Sequence, residues 1–233
     1  MPQTEVFFFR EPKDDSVPLL QWLGNLPLKV QAKCIGRIDR LGELGHELRR
    51  PEADFLRDGI YEVRASYQGV HYRILYFFAG RAVVVLSHGL TKEREVPPRE
   101  IDLALESVNR RWRLISNGSR SDRSRPMARK RFHSGASQFL YNRHIAGDPR
   151  REEEYEEEVI NAEIARKIYQ LRTKAGLTQQ ELAERVGTSK SAICRLEDAD
   201  YEGHSLSMLK RIAEALDKRV EIRFLPAKRL RTA

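Results

Sequence analysis

Four cations set the chemistry that the first half of this chain can attempt: Arg64, Arg73, Lys92 and Arg94. Arg64 lies in one run with strand character, Arg73 lies in the next, and Lys92 and Arg94 sit just after a third. No His, Cys and carboxylate residues gather around them at metal-ligand spacing, and no Ser/His/Asp arrangement accompanies them. Neither a metal nor another cofactor is expected. Guanidinium and ammonium groups held at a reacting phosphate stabilise the charge that gathers on its oxygens in the transition state more than in the ground state. That difference is what catalysis requires. A plainer reading makes each cation half of a surface ion pair, and Arg64 is the most open to it because Glu62 shares its strand face. His71 and His88 are alternative general acids, although a lone strand histidine is more often structural.

A second set of donors lies far along the chain, in LTQQELAERVGTSKSAICRLE from Leu177 to Glu197. Thr178 and Glu181 have the spacing of a capping box, in which each side chain satisfies the other's backbone N–H. Leu182, Ala183 and Val186 then share a helical face, and Gly187 permits the tight turn that follows. Thr188 or Ser189 caps a second helix with Ile193 and Leu196 inward. Two short helices joined in this way form a helix-turn-helix. The outward positions Lys190, Ser191 and Arg195, with Gln179 and Ser189, are the expected DNA-binding set. Donors of this length reach base edges and phosphates in a major groove. The alternative is a helical hairpin with a polar outer face.

The elements that must position these residues follow from periodicity. Glu5–Arg10 is expected as a short strand, and Ser16–Leu26 and Lys29–Leu44 as helices broken at Pro27. Val30, Cys34, Ile38 and Leu41 share the inward face of the second. Strands are expected at Ile60–Tyr67, Val70–Phe78 and Ala82–Gly89, with hairpin turns at Gln68-Gly69 and Ala79-Gly80. After Pro97-Pro98 a helix turns Ile101, Leu105, Val108 and Trp112 to one side. This order predicts an α+β domain over residues 1–116, an antiparallel sheet with helices. Residues 117–131, NGSRSDRSRPMARKR, have no apolar period and read as a flexible basic linker. Residues 132–233 then form an all-α domain with the helix-turn-helix at about 161–216. Its first long helix, Arg151–Leu171, opens on six glutamates and carries Ile160, Ile164, Ile168 and Leu171 as a stripe. A last alternating stretch, 219–226, is expected as an edge strand that pairs with a symmetry mate or another protein.

The chain has 233 residues, 33% of them charged, and a formal net charge of +8, which favours a polyanionic partner. Its two cysteines are too few for a disulfide framework or a structural zinc site and are expected as reduced thiols. No apolar run approaches the roughly 18–20 residues that cross a bilayer. The N-terminus also lacks the basic region of a signal peptide. A cytoplasmic protein without membrane contact is expected.

YEVR, YRILYFF and HGLTK followed by PPREI carry a family resemblance. Residues 5–113 resemble the phage-derived branch of the RelE/HigB toxin superfamily. The Leu177–Glu197 motif resembles the Xre/Cro helix-turn-helix family, and the second half is similar to a HigA-type antitoxin. The resemblance implies a type II toxin and its antitoxin in one polypeptide. It implies a ribosome-dependent mRNA endoribonuclease in which a 2′-hydroxyl attacks the adjacent phosphorus without a metal. Arg73 in YR matches the family's catalytic arginine. Lys92 is expected to activate the 2′-hydroxyl or stabilise charge, with Arg64 and Arg94 orienting the backbone. The chain departs from the pattern at Val96, where well-known members carry a tyrosine nearby, and at Glu62, where some carry lysine. The implied partners are operator DNA, bound by a homodimer that represses its own operon, and the ribosome with its mRNA. The alternative is a transcriptional regulator whose RelE-like domain is catalytically inactive and serves oligomerisation.

Overall fold

The computed structural model describes residues 4–92, 95–116 and 134–222, with the backbone alone at 92 and 111–116. The chain divides into two units, Met1–Ala162 and Glu163–Ala233. The expected linker over 117–131 lies outside the described residues, as does Arg94.

In the first unit, strands β1 (Glu5–Phe8), β2 (Ala53–Arg57), β3 (Ile60–Tyr67), β4 (Val70–Phe78) and β5 (Val83–Lys92) form one sheet in the order β1-β5-β4-β3-β2. Asp58-Gly59 and Gln68-Gly69 both hold positive φ, the backbone that two-residue hairpin turns require. The sequence reading found β3, β4 and β5 but not β2. It expected an antiparallel sheet, and the sheet is mixed, because β1 lies parallel to β5 with Glu5 opposite Val83. A parallel neighbour needs a long crossover, and the chain between β1 and β5 supplies it.

Strand alternation sends side chains into two layers. Val63, Ala65, Tyr72, Ile74, Tyr76, Val84 and Leu86 face α1 (Pro18–Gly24) and α2 (Leu28–Leu44). Ile60, Leu75, Phe77, Val85 and Leu90 pack with Ile101 and Ala104 of α3 (Pro98–Ser116). Gly89 is dictated by this packing: a Cβ there would collide with the Trp22 ring, so only glycine lets α1 approach β5. Ten of the 17 residues of α2 are buried, more than one inward face of a helix supplies. The additional cover comes from α4 (Gly135–His144) and the first part of α5 (Pro149–Lys174), whose Leu140, Tyr141 and Tyr155 join the α2 core. Ile160, expected in the apolar stripe of α5, is exposed; Tyr155, Glu158, Asn161 and Ala162 are the buried positions of that stretch.

The second unit holds the end of α5 with α6 (Gln179–Val186), α7 (Lys190–Leu196) and α8 (Leu206–Ala215). Ile168, Leu182, Val186, Ile193, Leu196 and Ile212 make its core. The capping box is formed: the Glu181 N–H donates to Thr178 Oγ1 at 3.2 Å, and the Thr178 N–H donates to Glu181 Oε2 at 2.7 Å. These bonds hold the Glu181 carboxyl below its usual range. Gly187 ends α6 in the left-handed conformation, and Ser189 caps α7. Of the stretch 219–226, residues 219–222 carry no strand, and 223–226 lie outside the described residues.

Candidate functional sites

β-register decides which of the predicted cations can act together. Arg64 lies opposite Arg73, Ser66 opposite His71, and His71 opposite Lys92. Cross-strand partners share a sheet face, so these five positions lie on one face. It is the face that α3 covers further along, at Ile60 and Leu75. His88 lies apart, with its ring nitrogen 3.3 Å from the Glu100 carboxylate. Burial pushes the His88 imidazole below its usual pKa, and Glu100 only partly opposes this.

The arginines are held by carboxylates. Arg73 Nη1 donates to both Glu62 oxygens at 2.5 Å, and Arg64 Nε donates to Glu62 Oε1 at 2.6 Å. Arg64 Nη2 donates to Asp54 at 2.9 Å, and Arg50 Nε donates to the same oxygen at 2.8 Å. Glu62 is fully buried, whereas the Arg64 side chain is 32% exposed and that of Arg73 14%. Burial alone would raise the Asp54 carboxyl, but Arg50 and Arg64 outweigh it and hold it below its usual range. The result is a cluster of guanidinium donors around two carboxylates, open to solvent through Arg64. Such donors meet phosphate oxygens in bidentate geometry. An incoming phosphate would have to share them with Glu62.

The α7 face is built differently. Lys190, Ser191, Cys194 and Arg195 are exposed and, with Gln179, line one shallow concavity. Neither Lys190 nor Arg195 makes a side-chain hydrogen bond or ion pair among the described residues. Ser189 is engaged as the cap of α7, accepting from the Ala192 N–H at 3.2 Å. Gln179 donates to Glu197 Oε2 at 2.8 Å. Glu197 is the hub beneath α7: it also accepts from Arg172 Nε at 2.5 Å and Nη2 at 2.9 Å. Arg172 in turn donates to the Leu177 carbonyl at 2.8 Å, which ties α5 to the entry of α6. Arg211 of α8 donates to the carbonyls of Val186 and Gly187 at the end of α6.

Residues 21–109 match the family model described as Phage derived protein Gp49-like, and residues 168–222 match the one described as Helix-turn-helix. The chain carries a Gp49-like domain followed by a helix-turn-helix domain. No curated protein matches it. The Gp49-like match spans the arginine–carboxylate cluster, and the helix-turn-helix match spans all five residues of the expected DNA-binding set.

Within the Gp49-like domain, Arg64 and Arg73 are brought together and the Lys92 backbone joins the same face. Sequence reasoning missed Asp54, because β2 was not recognised, and gave Glu62 no role beyond pairing with Arg64. The signal for Glu62 was its spacing: residues two apart in a strand point the same way. Among the described residues no three His, Cys, Asp or Glu side chains are grouped to hold a metal, and no helix is long and apolar enough to cross a membrane.

Proposed function

We propose that this chain is a type II toxin–antitoxin fusion of HigB–HigA type. The single observation that carries the reading is a Gp49-like domain and a helix-turn-helix domain on one polypeptide. In this reading residues 1–116 are the toxin, 117–131 a linker and 132–233 the antitoxin. The toxin cleaves mRNA on the ribosome. Arg73 stabilises the charge on the scissile phosphate, Lys92 activates the 2′-hydroxyl, and Arg64 and Arg94 orient the RNA backbone. The exposed donors of α7 read operator DNA. A homodimer is the binding species, since one such helix covers a single half-site. The protein acts in the cytoplasm, where mRNA, ribosomes and operator meet.

The experiment is expression of residues 1–116 in a bacterium beside the intact chain, with growth and reporter translation as readouts. Growth arrest from the fragment and none from the intact chain is the expected result. No arrest from soluble, folded fragment would overturn the toxin assignment. The second reading, a regulator with an inactive RelE-like domain, is favoured by one observation: Glu62 sits between the two arginines that would otherwise bind phosphate. Operator binding with a silent fragment is its outcome.

A further inference from the structure

Lysine belongs at surfaces, yet Lys33 of α2 is among the largest fully buried side chains in this protein. Its ammonium lies 2.5 Å from Glu158 Oε2 of α5, and the Glu158 side chain is only 3% exposed. Lys29, one turn earlier, lies 3.9 Å from the other Glu158 oxygen. Around this pair the contact is close. A Cβ at Gly36 would meet the Val159 methyl at 3.8 Å, so α5 lies directly on α2. Ser137 Oγ of α4 donates to Asp39 at 2.6 Å, and Phe139 reaches Phe8 with ring centroids 6.0 Å apart. Tyr141 and Tyr155 pack edge to face beneath. Residues 134–162 thus supply a buried carboxylate to a fully buried lysine of α2. A buried charge tolerates its partner's removal badly, so undocking residues 134–162 from α2 would be costly. The arginine–carboxylate cluster points from the opposite face of the sheet, the one α3 covers.

We propose that α4 and the first part of α5, residues 134–162, are the neutralising contact of the chain. They form a separable cover docked on α2 and set in register by Lys33 and Glu158. The helix-turn-helix is then free for DNA, and neutralisation is exerted from α2 and not by plugging the arginine face. This rests on the toxin–antitoxin reading, but its docking half is measured without any activity.

The test uses the full chain with a protease site placed between residues 117 and 131, cut after purification. The two fragments of the wild-type sequence should co-elute on gel filtration, and cell-free translation should proceed in their presence. Glu158→Lys, which sets like charges together in a dry site, should part the fragments and stop translation. Lys33→Glu combined with Glu158→Lys should restore both co-elution and translation. Fragments of the Glu158→Lys protein that co-elute like wild type would overturn the proposal. So would a double variant that separates as the single one does. If Glu158→Lys alone fails to fold, the isosteric Glu158→Gln and the double variant carry the same decision. Fragments that part while translation continues would sink the toxin reading and leave the docking contact standing.

Discussion

The two basic faces of this protein are held in opposite ways. In the Gp49-like domain, Arg64 and Arg73 are fixed by Glu62 and Asp54 before any ligand arrives. On α7, Lys190 and Arg195 stand in solvent, and Glu197 beneath them is engaged by Arg172 and Gln179. The first arrangement sets geometry ahead of binding at the expense of affinity, because a phosphate must compete with a carboxylate. The second leaves affinity available and adjusts side chains on contact. A catalytic site needs the former, since a misplaced cation stabilises a transition state poorly. A site that reads DNA works with the latter, because its helix is already positioned by caps and core.

The largest effect should come from the hub of the second face. Glu197→Ala leaves Arg172 buried without its partner, which costs about 3–5 kcal/mol. The helix-turn-helix should melt early by circular dichroism and lose operator binding. Retained binding at an unchanged melting temperature would show that α7 is held by its caps and apolar core alone. Next comes the first face. Arg73→Ala with Lys92→Ala should lower translation inhibition by the released toxin by more than about 10²–10³-fold, the size of a single lost electrostatic donor. An unchanged melting temperature would separate this loss from unfolding. Full inhibition by the double variant would move the chemistry off this face. A smaller effect is expected on α7 itself: Arg195→Ala should weaken specific DNA binding by about 1–3 kcal/mol while sparing random DNA. Equal losses on both would make Arg195 a phosphate contact. Thr178→Ala removes one cap bond and should lower the stability of the second unit by about 1 kcal/mol. Urea unfolding followed by circular dichroism would check it, and no change would mean that the capping box is redundant with the core.

The contrast between the faces also governed what the sequence could reveal. The helix-turn-helix is legible because its information is local. Thr178, Glu181, Gly187 and Ser189 each act within four residues, and the structure places each in the expected role. The sheet is half legible. Alternation gave β3 to β5, and β3 and β4 match their predicted bounds. β2 escaped because ADFLR is short, polar in part and lies on an edge. With it went Asp54 and the recognition that the arginine set was already partnered. The contact of α5 with α2 was invisible for a different reason. Six glutamates at a helix start read as a solvated anionic end suited to the dipole. Nothing local marks Glu158 as the one that is buried; its partner Lys33 is 125 residues away.

The smallest effect expected is a difference in acid sensitivity between the units. In the first, burial lowers the pKa of His88, and burial with the charges of Arg143 and Arg151 lowers that of His144. A histidine whose folded pKa lies below its unfolded value of about 6.5 binds protons more tightly when unfolded. Its contribution to stability is therefore complete above that pH and declines as pH falls toward the folded value. In the second unit, the lowered group is Glu181, held down by its bonds to Thr178. The same sign applies, but its window opens only below the ordinary glutamate value of about 4.3. The first unit should thus begin to lose stability between about pH 6.5 and 5, where the second does not. The chain reports this directly, because both of its tryptophans, Trp22 and Trp112, lie in the first unit. Tryptophan fluorescence should show a melting temperature that falls from pH 7.5 to pH 5, while circular dichroism at the helix-turn-helix transition stays level. His88→Asn should remove part of the slope. A tryptophan melting temperature that is flat from pH 7.5 to 5 would mean that both histidines titrate alike in the folded and unfolded chain. In that case the burial of His88 between β5 and Glu100 has no proton-linked consequence.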